Sequence, residues 1–279
     1  MLTAVTAMAI LALALAFGIA MAARIFAVVT DPRAELIEGA LPGANCGACG
    51  LPGCSELARR IAEGKAPVGA CPVGGEPVAA EIARIMGEAF EGGCERQVAL
   101  VLCNGSDQVA AKRFFYNGVF DCASAALVAG GDKACTYGCL GFGTCAAVCP
   151  FGAIDMLPGG LAVVDPSRCT GCTKCVSACP RGIIRMVPAG RRVHILCSNH
   201  EKGAAAKKKC AVACIACQKC VKAAPEGAIT MDNFLAVVDY SKDIPDPVAA
   251  ECPMSTIVVR PGEACAGDAG RTAAAGGEG

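Results

Sequence analysis

The stretch CTGCTKCVSACP, residues 169–180, decides how the rest of the chain is read. It sets Cys169, Cys172, Cys175 and Cys179 at x2, x2 and x3 intervals and follows the last with Pro180. Three thiolates at successive x2 steps wrap one compact inorganic core, while the fourth turns away to a second core. This is the bacterial spacing for [4Fe-4S] cubanes; zinc ribbons use separated C-x2-C pairs instead. A partner segment lies just upstream, where Cys149-Pro150 closes a run with Cys135, Cys139 and Cys145 at x3, x5 and x3 intervals. Phe142 stands where an x2 ligand would be. The predicted ligation is crossed, with Cys135, Cys139, Cys145 and Cys179 on one cluster and Cys149, Cys169, Cys172 and Cys175 on the other.

The whole chain has 279 residues with 22 Cys, 34 Gly and 16 Pro, but only 9 Phe, 3 Tyr and no Trp. Much of its 54% apolar content is Ala, Val and Cys, so metal-bound thiolates must supply part of the cohesion that large side chains normally give. Apo-protein is accordingly expected to be largely unstructured outside the N-terminal segment. A net charge of zero leaves no electrostatic footprint for nucleic acid. No glycine loop of the phosphate-cradling kind adjoins a strand and helix, and no nucleophile–base constellation stands out. The polypeptide reads as wiring, without a substrate-converting site of its own.

Residues 2–23 carry no charge. A helix of that length reaches roughly 33 Å, enough for a hydrocarbon core of about 30 Å. Ala20-Met21-Ala22 resembles a signal-peptidase site, but no Lys or Arg precedes the apolar run. Arg24 and Arg33 follow it, so an uncleaved anchor is expected over residues 1–24, N-terminus out, with the body in the cytoplasm. A reducing compartment disfavours disulfides.

Behind the anchor, CGACGLPGC (46–54) and Cys71-Pro72 predict a four-thiolate site of Cys46, Cys49, Cys54 and Cys71 in a small helical domain over 31–92. Four thiolates suit structural zinc as well as iron, and at this site zinc is the competing reading. Helices are expected from Ser55 and over Glu76–Phe90.

Farther on, the chain repeats itself. GAIDMLPGGLAVVDPSR (152–168) returns as GAITMDNFLAVVDYSK (227–242), each copy an apolar alternation around a turn, hence a hairpin. In register, Cys135, Cys139, Cys145 and Cys179 match Cys210, Cys214, Cys220 and Cys252, whereas Cys149, Cys169, Cys172 and Cys175 match Ala224, Asp243, Asp246 and Ala249. All four ligands of one cluster are missing together. The module over 93–190 is therefore expected to hold two clusters and the module over 191–260 only one, on Cys214, Cys217, Cys220 and Cys252, with Cys210 as alternate ligand. That makes about four [4Fe-4S] clusters on an α+β chain: one transmembrane helix, a small helical iron–sulfur domain and two ferredoxin-like modules.

Cys94, Cys103, Cys122, Cys197, Cys210 and Cys265 remain. Cys103 in VLCNG and Cys197 in ILCSN occupy similar settings after strand-like stretches, and both read as small buried hydrophobes. A fifth cluster drawn from Cys94, Cys103, Cys122 and Cys197 stays open as a second reading. Cys265 falls in a Gly/Ala-rich tail over 261–279, expected to be disordered and unligated. His194 and His200 are expected on surfaces or loops, and Lys207, Lys208 and Lys209 on a solvated loop.

The order of these parts resembles the Rnf complex B-subunit family, the iron–sulfur subunits of the membrane-bound, ion-translocating ferredoxin:NAD oxidoreductases, in its long form with a duplicated ferredoxin region. The likeness rests on the N-terminal anchor, CGACGLPGC with Cys71-Pro72, KACTYGCLGFGTCAAVCPFGAI (133–154) and CTGCTKCVSACP, and spans residue 1 to about 260. It implies an electron-transfer component in a bacterial or archaeal cytoplasmic membrane, with soluble ferredoxin and the other Rnf subunits as partners. The exposed second module would be the ferredoxin-docking end. The missing cluster is where this sequence departs from that pattern. An iron–sulfur subunit of a hydrogenase or formate dehydrogenase type complex is the other redox reading.

Overall fold

The computed structural model describes residues 2–25, 31–90 and 96–261. Cys94, Cys265 and the 262–279 part of the tail lie outside the described residues. Helix α1 (Leu2–Ile25) has no polar face. Its Val5–Arg24 stretch has a mean hydropathy of 2.4 and none of it is buried, leaving Leu11, Phe17 and Ile19 exposed. An apolar helix with nothing packed on it is stable only in lipid or against partner helices.

A three-helix unit follows. Asp31 caps α2 (Pro32–Ala40), accepting the Arg33 amide at 2.9 Å, with Pro32 in the first turn where its missing N–H costs nothing. Helix α3 (Cys54–Ala62) buries Leu57, Ala58, Ile61 and Ala62, a stripe at helical spacing, against Ile37 of α2 and Ile82 of α4 (Gly75–Met86). The expected extension of α4 to Phe90 is corrected: Gly87 adopts φ +73° and ends the helix, a left-handed cap that glycine takes at no steric cost.

Two modules of like design complete the chain. The first contains β1 (Gln97–Val101), α5 (Cys122–Leu127), α6 (Thr144–Ala147), β2 (Ile154–Leu157), β3 (Leu161–Val164), α7 (Lys174–Ala178) and β4 (Ile184–Pro188). The second contains β5 (Val193–Ile195), α8 (Gly203–Lys209), α9 (Lys219–Ala223), β6 (Ile229–Asp232), β7 (Leu235–Val238), a 3-10 helix (Asp246–Glu251) and β8 (Ile257–Val259). In each, the outermost strands pair antiparallel, Val98 opposite Val187 and His194 opposite Val258, while the inner two form a hairpin. These hairpins stand where the repeated alternation predicts them.

The core of the first module runs through its cysteines, with Cys139, Cys145, Cys169 and Cys175 packed among Val98, Ile154, Val164 and Ile184. Two expectations change here. Lys207–Lys209 form the last turn of α8, where their charge complements the helix dipole. His194 is not on a surface: it lies on β5, 4% exposed, with Nδ1 3.0 Å from the Tyr240 hydroxyl.

Candidate metal centres

In the helical unit, Asn45 organises the loop that carries the cysteines, since its Oδ1 accepts the Cys54 amide at 2.8 Å. Gly47 and Gly50 take positive φ, +76° and +80°, which lets the backbone double back between Cys46, Cys49 and Cys54. Cys71 accepts the Gly74 amide at 3.4 Å. Burial pushes its thiol pKa up, with the Cys54 and Cys46 charges adding to the rise, so these groups share one neighbourhood. Cys49 packs on the same helical core.

In the first module a cavity of about 330 Å³ is lined by Cys149, Cys169, Cys172 and Cys175. The Ala99 amide of β1 donates to Cys169 Sγ and the Ala153 amide to Cys149 Sγ, each at 3.4 Å. Thr173, at φ +61°, turns the chain into α7 and places Cys175. Desolvation, then the Cys169, Cys172 and Cys149 charges, push Cys175 up to about 11.

The neighbouring cavity, about 350 Å³, differs from expectation. Cys139, Cys145 and Cys179 line it with Cys122, not with Cys135. Cys145 is pushed up to about 12 by burial first and then by Cys139, Cys122 and Cys179. The physical reason lies in how Cys122 is held. Phe142, at the x2 position of the sequence, does not line this cavity and packs instead on Tyr116 and Phe120, with centroids at 5.2 and 6.0 Å. Asp121 caps α5, and Thr144 locks the start of that helix by donating to Asp121 Oδ1 at 2.7 Å and accepting the Cys122 amide at 2.8 Å. The empty x2 position together with an unassigned cysteine upstream was the signal that could have found this exchange.

The second module gathers Cys214, Cys217, Cys220 and Cys252 around a cavity of about 370 Å³. Left-handed Ala216 and Gln218 coil the loop, and the Thr256 amide donates to Cys252 Sγ at 3.4 Å. Burial and then the other three cysteines raise Cys220 to about 11. Cys210, the alternate ligand, is elsewhere. It lines a further cavity of about 380 Å³ with Cys135, Cys103 and Cys197. His200 packs edge-on against Tyr137 with its centroid 5.6 Å away and approaches none of these cavities as a lining residue.

The cysteines of the cavities ring a space and do not meet at a point. Among the described residues no three His, Cys, Asp or Glu side chains converge closely enough for a single ion. Thiolates spread around a small apolar void with backbone N–H groups on the sulfurs suit a polynuclear iron–sulfide core, whose potential such hydrogen bonds tune. Short two-stranded sheets wrapped around several such sites define a multi-cluster iron–sulfur electron carrier. Comparison with known families agrees: a model for an Fe-S cluster domain matches residues 41–73, and one for a 4Fe-4S dicluster domain matches residues 134–183.

Relatives extend the match over most of the chain. The B-subunit of the Na(+)-translocating ferredoxin:NAD(+) oxidoreductase complex of Acetobacterium woodii is 49% identical over 81% of this chain and 67% of its own. The B-subunit of the ion-translocating oxidoreductase complex of Methanosarcina acetivorans is 38% identical over 93% and 98%. The B-subunit of the proton-translocating ferredoxin:NAD(+) oxidoreductase complex of Clostridium ljungdahlii is 41% identical over 84% and 81%. The chain belongs to this B-subunit family of ion-translocating oxidoreductase complexes.

Proposed function

We propose that this protein is the membrane-anchored electron relay of an ion-translocating ferredoxin:NAD oxidoreductase complex, taking electrons from reduced soluble ferredoxin and passing them to the other subunits. The observation that carries the reading is the set of cysteine-lined cavities strung along one chain, since a single structural site would not need them. The ligand sets are Cys46, Cys49, Cys54 and Cys71; Cys149, Cys169, Cys172 and Cys175; Cys122, Cys139, Cys145 and Cys179; and Cys214, Cys217, Cys220 and Cys252. A [4Fe-4S] cluster supplies one-electron chemistry at potentials spanning roughly −700 to +450 mV according to charge, hydrogen bonding and exposure. The chain's own part is to hold thiolates, aim amides at sulfur and keep water out of the cavities. Helix α1 anchors the body in the cytoplasmic membrane, N-terminus out, because Arg24 at its end favours the cytoplasmic side.

Cys217 is the exposed member of its set, so the second module is the end that meets ferredoxin. Replacing Cys214 and Cys217 with alanine is expected to slow reduction by ferredoxin while sparing the cluster at Cys46–Cys71. Unchanged reduction would sink this docking assignment. The relay itself is tested by iron, zinc and acid-labile sulfide on anaerobically purified full-length protein. At least about 16 iron and as many sulfides per chain are expected for four cubanes, with negligible zinc; zinc without sulfide would overturn it.

A further inference from the structure

Cys103, Cys135, Cys197 and Cys210 belong to none of those four sets, yet they line a cavity of about 380 Å³, the size of the three others bounded by four cysteines. We propose that these residues are the ligands of a further [4Fe-4S] cluster, held between the two modules and bridging them. The proposal rests on the iron–sulfur reading above and adds a fifth site to it.

The four thiols are arranged as two equivalent pairs. Cys103 follows β1 and Cys197 follows β5, while Cys135 and Cys210 occupy matching places in the repeat. Their hydrogen bonds match too. Cys103 Sγ accepts the amide two residues on, from Gly105 at 3.4 Å, and Cys197 Sγ accepts that of Asn199 at 3.5 Å. Cys103 Sγ also accepts the Cys139 amide at 3.3 Å, and Cys197 Sγ the Cys214 amide at 3.4 Å. Each module thus contributes half a cage with the same amide-to-sulfur pattern.

Two glycines lie against the sulfurs. A Cβ on Gly105 would sit 3.4 Å from Cys210 Sγ and 3.5 Å from Cys103 Sγ, and one on Gly138 would sit 3.6 Å from Cys135 Sγ. Two further groups point to an anionic occupant. Asn199, 1% exposed, lines the cavity with an Nδ2 that has no hydrogen-bond partner in the structure. Lys133, also 1% exposed, lines it with an ammonium held by the Gly105 carbonyl at 2.9 Å and paired with Asp107 at 3.4 Å. The amide donor of Asn199, buried and left unpartnered by the protein, is costly on its own and is well matched, with the Lys133 ammonium nearby, to a thiolate-ligated cluster.

Its place gives the site a role. Cys139 belongs to the Cys122–Cys179 set and Cys214 to the Cys214–Cys252 set, and both donate their amides to this cage. A cluster here joins the two modules into one continuous path, where otherwise the second module would stand apart.

The test uses full-length protein, purified anaerobically in detergent and reconstituted with iron and sulfide. Wild type is expected to hold about 20 iron and 20 sulfides, for five cubanes. Cys103→Ala and Cys197→Ala, substitutions in different modules, should each remove about four iron and the same component from the reduced electron-spin resonance spectrum. Asn199→Leu should keep the iron and shift that component to a more negative midpoint. About 16 iron in wild type would overturn the fifth site and leave the relay standing. So would loss of different components from the two cysteine variants, or an unmoved midpoint in Asn199→Leu. Protein without iron and sulfide would overturn the iron–sulfur reading itself.

Discussion

The two modules follow one chain path and differ in what fills it. In the first, the loop before α7 wraps Cys169, Cys172 and Cys175 around a cavity closed by Cys149. In the second, the corresponding positions are Asp243, Asp246, Ala249 and Ala224, and a 3-10 helix takes the place of α7. Arg191 donates to Asp243 at 2.5 Å and Arg192 pairs with Asp246 at 2.9 Å. Where the first module has four thiols, the second has two carboxylates paired with arginines and two alanines. The strands are still there: Val193, Ile195, Ile229 and Ile257 form a core of their own. The paired outer strands and inner hairpin are therefore the shared frame, to which the first module adds the cavity of Cys149, Cys169, Cys172 and Cys175.

The comparison breaks most readily at the ligands. Cys172→Ala is expected to remove about four iron per chain, whereas Asp246→Ala at the matching position should remove none; iron and sulfide counts decide. Gly171→Ala comes next. This glycine has φ +73°, and a Cβ there would lie 2.8 Å from the Gln97 carbonyl oxygen of β1. Strain on the order of 1–3 kcal/mol should lower the denaturant midpoint of the first module, while Pro245→Ala at the matching place should do far less.

A third difference sharpens the contrast through pH. His194 stands where the first module has Leu100. Desolvation, then Arg260, lowers its pKa from 6.5 to about 4. Because the folded value lies below the unfolded one, the neutral ring's contribution is complete above pH 6.5 and is lost as pH falls toward 4, at most about 3 kcal/mol. Amide exchange on β5 and β8 should therefore accelerate over that interval while β1 and β4 stay protected, and His194→Leu should abolish the difference. The smallest effect belongs to the ion pairs. Asp243 is 95% exposed, so Arg191→Ala should leave the unfolding midpoint unmoved.

How far the sequence could be read depended on where a site's ligands come from. The grouping of Cys149, Cys169, Cys172 and Cys175 around one cavity was legible because three of them lie within seven residues and their spacing alone encodes the loop. The place of Cys122 beside Cys139, Cys145 and Cys179 was harder to read, since the Thr144 hydroxyl that accepts its amide comes from 22 residues farther along the chain, a tertiary contact that ligand spacing does not encode. The hairpins were legible twice over, by alternation and by repetition. The burial of His194 was hidden because a polar residue in a three-residue strand looks the same whether its partner is water or Tyr240.

The central cavity has one more consequence, for the order of manufacture. Half of its cysteines come from each module, and Cys210 lies 75 residues after Cys135 in the chain. As the protein leaves the ribosome, the cages at Cys46–Cys71 and within the first module can close while this one still lacks half its wall. A nascent chain cut short before residue 197 can close those earlier cages, but it carries an open, half-built one as the mark of its incompleteness.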